Sequence, residues 1–188
     1  MAFMDALGIE SAIIVGHSMG SAVAMRMAMN YPERVQGLVL ASAIFTPLRN
    51  NPDIVEFWDA AVSSIEDPVD PEFVREFQVS TLAQPVPPAF LDTIVSESLK
   101  VLARVWRAAL QGTMAADVTG ELEKIRAPTL IIWGDQDGMV PRNDGEALEA
   151  GIAGSRLVIY PDTGHGVHWE EAERFASDLT AFCQSFRG

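Results

Sequence analysis

A chain of 188 residues, 48 % of them hydrophobic, is long enough to bury one core of ordinary size and carries no repetitive or low-complexity run. Its net charge of −13 repels phosphate backbones and anionic lipid surfaces alike, so nucleic acid and membranes are poor partners. One cysteine, Cys183, excludes an internal disulfide framework and a thiolate metal cluster.

In chain order, the start MAFMDALGIE predicts a short helix over AFMDAL, stopped at Gly8. It lacks the basic and apolar regions of a signal peptide, and no apolar run in the chain approaches the roughly 18 residues that span a bilayer, so a cytoplasmic protein is expected. SAIIVG (11–16) is the first of four segments that are apolar at successive positions; VQGLVLAS (35–42), PTLIIWG (128–134) and RLVIYP (156–161) are the others. Strands of that kind are covered on both faces, the habit of a parallel sheet between helices, and the expected class is therefore α/β. A helix runs from Ser18 through MGSAVAMRMAMN to about Asn30 and Pro32, its methionines facing the core. Residues 46–118 have a different texture: prolines at 47, 52, 68, 71, 85, 87 and 88 separate short apolar helical runs. With no strand to add to the sheet, this stretch is expected to be a helical insertion forming a cap above one end, one wall of a cavity. The last helix repeats Ala172, Phe175, Ala176, Leu179, Phe182, Cys183 and Phe186 at spacings of three and four, a stripe that lies on a sheet and buries Cys183.

Between the first strand and its helix stands Gly16-His17-Ser18-Met19-Gly20, a G-x-S-x-G turn. Such a turn strains the serine and lifts its hydroxyl to the mouth of the sheet; the flanking glycines avoid striking the adjoining helix and strand. The amide that follows, that of Met19, opens a helix and points where an oxyanion would form. A glycine-flanked serine before a helix is also a serviceable N-cap, so the chemistry needs a base and an acid as well.

Three histidines are available. His17 is fixed beside the serine by the turn and cannot fold back as its base; a place under the elbow, facing the substrate pocket, suits it. His165 follows the last strand with glycines on both sides, which lets its ring project from a loop; His168, the alternative, lacks that freedom. For the acid, the third strand ends in GDQDGMVP. Asp135 suits turn amides, and Asp137, further out, is the candidate to reach a histidine. The order Ser, Asp, His, each after a parallel strand, puts Ser18, Asp137 and His165 on one rim.

The blocks LGIESAIIVGHSMGS, YPERVQGLVLAS, IRAPTLIIWGDQDGMVP and YPDTGHGVHWEEAERFASDLTAF together resemble the α/β-hydrolase superfamily, in particular its capped esterase- and lactonase-like members. The resemblance covers nearly all of 1–188 outside the cap and implies one hydrolase-like domain. By it Ser18 is the nucleophile, Asp137 the acid, His165 the base and Met19 an oxyanion donor, acting on a small ester without metal or organic cofactor. Cap aromatics, with Phe57, Trp58 and Trp106 foremost, are candidates to line the substrate pocket.

The chain departs from the family at its start, where one helix precedes the elbow strand in place of several strands and a helix. Two expectations follow. The loop that supplies a second oxyanion amide has no counterpart here, and losing one such donor costs on the order of 10² to 10³ in kcat, so weak activity is expected. The strand 11–16 becomes a sheet edge with apolar faces, and a homodimer through that edge is expected. Carbon–carbon bond hydrolysis on the same fold, and a non-catalytic binding protein retaining the scaffold, are the alternative functions.

Overall fold

The computed structural model describes residues 1–186. A short helix α1 (Ala2–Ala6) leads into β1 (Ala12–His17), then α2 (Met19–Asn30) and β2 (Val35–Ala41). The helical stretch that follows holds α3 (Pro52–Phe57), running on into a wider turn over Trp58–Val62, then α4 (Pro71–Ser80), α5 (Pro88–Ser98) and α6 (Ala103–Ala115). The chain returns with β3 (Thr129–Gly134), α7 (Arg142–Gly151), β4 (Ser155–Tyr160), a single turn α8 (Val167–Glu170) and α9 (Ala172–Gln184). All four expected strands form within a residue or so of their expected limits. The helix α7 is the crossover that the parallel pair β3 and β4 requires, although its apolar residues are too few to mark its limits in the sequence.

The strands pair in the order β1-β2-β3-β4, all parallel. In this order each crossover moves one place in the same direction, and each must pass over a face of the sheet to return the chain to the same end. The pleat sorts the apolar runs into two cores. Leu38, Leu40, Ile131 and Trp133 face α2 and α7, meeting Met25, Ala28, Leu148 and Ile152. Their neighbours Val39, Ala41, Leu130 and Ile132 face the other way, toward Phe175, Leu179 and Phe182 of α9. A third cluster, built on Val62, Val74, Val95 and Ala103 with Trp58, Phe73 and Trp106 packed on it, belongs to the cap alone.

Two burial expectations need correction. β2 and β3 are covered on both faces, but β1 is only partly so: Val15 is 46 % exposed, because β1 pairs with β2 on one side and carries no further strand among the described residues. Cys183 is half-buried, since α9 forms a single outer layer and none of its residues is fully enclosed.

Candidate active site

Because the strands are parallel, the loops after β1, β3 and β4 emerge at one edge of the sheet, and each brings one of the three expected side chains. Ser18 sits between β1 and α2 at φ 50°, ψ −122°, a backbone region that costs a non-glycine residue on the order of 1–3 kcal/mol. Hydrogen bonds hold it there. Its amide donates to Ala41 O, and its carbonyl accepts from the Ser21 amide and hydroxyl.

The flanking glycines divide their expected role. A Cβ at Gly16 would lie 2.5 Å from Gly20 O and 2.8 Å from Ala24 Cβ, so β1 and α2 meet too closely for any side chain there. At Gly20 a Cβ would meet nothing within 4 Å, contrary to the expectation that both positions are crowded. The constraint falls on the strand side alone because Gly20 opens toward the cavity.

The Ser18 hydroxyl lies 2.8 Å from His165 Nε2, and His165 Nδ1 lies 2.8 Å from Asp137 Oδ2. A carboxylate only accepts, so Nδ1 carries the proton and Nε2 is left as the acceptor of the Ser18 O–H. The side chains of His165 and Asp137 are 4 % and 1 % exposed, which keeps the ion pair formed during proton transfer away from solvent screening. The other oxygen, Asp137 Oδ1, accepts from the amides of Met139 and Val140 at 2.9 and 3.0 Å. Here the turn amides go to Asp137 itself; Asp135, expected to take them, is exposed. One carboxylate thus does both tasks.

His17 donates from Nε2 to the backbone carbonyl of His165 at 2.8 Å. Burial, with His168 and His165 close by, pushes its pKa down to about 3, so the ring stays neutral and holds that bond. His168 packs on His17 with ring centroids 4.4 Å apart, and burial lowers it to about 4. Neither ring reaches Ser18. Met19 and Gly20 open α2, so their amides have no acceptor within the helix and face the mouth of the site.

A cavity of about 250 Å³ lies over Ser18, walled by Met19, Phe77, Gln78, Met139 and Trp169. The expected pocket residues Phe57, Trp58 and Trp106 are not among its walls. Phe57 stacks behind Phe77 and Trp106 meets it edge-on, while Trp58 lies in the cap cluster, so these rings support the wall from outside. Trp169, not among the expected wall residues, has a signal in the sequence, since it lies one helical turn beyond His165. Gln78 and Thr81 carry no local signal; only the docking of the cap brings them over the serine.

A family profile described as the alpha/beta hydrolase fold matches residues 2–172, and the chain belongs to that family. Among curated proteins it is 32 % identical over 180 residues to a 2-hydroxy-6-oxononadienedioate/2-hydroxy-6-oxononatrienedioate hydrolase of Klebsiella pneumoniae. It is 33 % identical over 181 residues to a 2-hydroxy-6-oxo-6-phenylhexa-2,4-dienoate hydrolase of Comamonas testosteroni. In both cases the match takes in 92 % of this chain and 62 % of the relative, so the chain spans under two thirds of their length. Among solved structures, an esterase from Exiguobacterium antarcticum superposes with a TM-score of 0.85 at 23 % identity, over 97 % of this chain and 70 % of that one; this likeness is one of fold.

Proposed function

We propose that the chain carries the catalytic centre of a serine hydrolase acting on a small carboxylic ester or lactone. The observation behind this is the unbroken hydrogen-bonded line from Ser18 through His165 to Asp137 at the floor of a cavity. Ser18 Oγ attacks the substrate carbonyl as His165 Nε2 takes its proton, and Asp137 stabilises the imidazolium. The oxyanion meets the Met19 amide at the start of α2. His165 then protonates the leaving alcohol, activates water, and the acyl-enzyme is hydrolysed. The apolar walls supplied by Met19, Phe77, Met139 and Trp169 favour an uncharged chain beside the carbonyl.

Hydrolysis of a carbon–carbon bond beside a ketone is the second reading, favoured by the names of the curated relatives. It uses the same three side chains with an enol in place of the alcohol. Assaying p-nitrophenyl butyrate and 2-hydroxy-6-oxo-6-phenylhexa-2,4-dienoate side by side separates the two by kcat/KM. Whichever substrate is turned over, Ser18→Ala is expected to lower kcat on the order of 10⁴-fold or more. A fluorophosphonate is expected to label Ser18 stoichiometrically; no labelling and no turnover would leave the binding-protein alternative standing. We also propose that two copies associate along the open edge of β1.

A further inference from the structure

The backbone around His165 is tied to the cap more closely than to its own strand. The Thr81 carbonyl, just beyond the end of α4, accepts from the amides of both His165 and Gly166, at 2.9 and 3.2 Å. Glu170, at the end of α8, spreads its carboxylate over three amides: Ala83 at 2.9 Å and Gln84 at 2.8 Å in the cap, and Gly164 at 3.0 Å beside His165. The Gln84 side chain adds a bond to Asp162 O at 2.7 Å. The glycines beside His165 fit this contact. A Cβ at Gly164 would lie 2.5 Å from Ala83 N, and one at Gly166 would lie 2.7 Å from Leu82 Cδ2. For Gly164 the reason is thus the close approach of the cap-turn backbone at Ala83, not the loop freedom expected from the sequence; at Gly166 the neighbour is the movable end of the Leu82 side chain.

We propose that Glu170 is a positioning residue that makes the alignment of His165 depend on the docked cap. One carboxylate bridges a cap turn and the base loop, and charge-assisted bonds to amides are about twice as strong as neutral ones. When the cap turn leaves, His165 and Gly166 lose the Thr81 carbonyl and Gly164 loses the bridge that spans the gap. The loop then keeps only the His17 bond to the His165 carbonyl and the Asp137 bond to Nδ1, and the approach of the imidazole to Ser18 loosens. A cap that shifts to admit substrate or release product at this corner therefore weakens the base, and re-docking restores it. Thr81 and Gln78 also line the cavity, so a molecule held there touches the same turn.

This rests on the serine-hydrolase reading for its catalytic consequence but not for its structural one, and the test has an arm for each. Glu170→Gln keeps one acceptor and loses the charge; Glu170→Ala loses both. In the full chain, the rate of Ser18 labelling by a fluorophosphonate is expected to fall at least tenfold in Glu170→Gln and further in Glu170→Ala. With a substrate, kcat falls while KM changes less than twofold. Amide hydrogen exchange is expected to speed up together in 81–84 and 164–166, with protection of β2 and β3 unchanged. Gln84→Ala, which removes only the Asp162 bond, gives the same coupled exchange to a smaller degree and covers the case in which Glu170→Ala does not fold. Labelling at the wild-type rate in Glu170→Gln, or faster exchange confined to one of the two segments, overturns the proposal. If the wild-type chain is not labelled at all, the hydrolase reading falls, and coupled or uncoupled exchange decides the tether alone.

Discussion

Ser18 owes its position to a residue two places before it. With β1 and α2 in contact at Gly16, the chain must reverse within the three residues 17–19, and the positive φ at Ser18 is the result. The local strain is offset by the bonds from Ser18 to Ala41 and Ser21, which belong to two different elements. Gly16→Ala sets a methyl against Gly20 O and is expected to destabilise the fold by about 3 kcal/mol, read as a lower denaturation midpoint. Gly20→Ala, in open space at the start of a helix, is expected to leave the midpoint unchanged or raise it by up to about 1 kcal/mol. The motif displays two equivalent glycines in sequence. Their difference is visible only when the neighbouring helix is in place.

At the scale of elements, the cap is a small body with its own core that contributes one wall to the site. Phe77 faces the cavity, while Phe57, Phe73 and Trp106 pack around it at centroid distances of 5.6–6.4 Å. Trp106→Ala removes one of these supports and is expected to cost about 2 kcal/mol of stability. Phe77→Ala opens the wall itself and is expected to raise KM for an apolar ester several-fold, with a smaller loss of stability. Steady-state kinetics beside thermal melts separates the two. A helical pattern shows that α4 and α6 each have an apolar side. Which ring on that side faces a ligand depends on how the cap sits over the sheet, and helical spacing carries no information about that.

At the scale of the whole fold, β1 has a neighbouring strand on one side only among the described residues, and Val15 of β1 is 46 % and Val23 of α2 67 % exposed. Unpaired strand edges with apolar neighbours attract partners, which is the basis of the proposed association. Sedimentation at micromolar concentration is expected to show a dimer, and Val15→Lys to shift it to monomer; a wild-type monomer over that range would remove the proposal.

What the amino-acid order determined alone was local and one-dimensional: four continuous apolar strands, their parallel sense, the elbow, and the succession Ser18, Asp137, His165. Burial on both faces of a strand and a forced turn leave direct marks in composition and spacing, so these were readable. The tertiary structure decided the rest: that Asp137 serves the turn amides and the imidazole together, that His17 holds His165 by its carbonyl, that Phe77 and Trp169 wall the cavity, and that Glu170 joins cap to base loop. Each of these is a contact between segments far apart in the chain or on different loops. A contact of that kind depends on distances the packing sets, and residue types constrain such distances only after every layer has found its place.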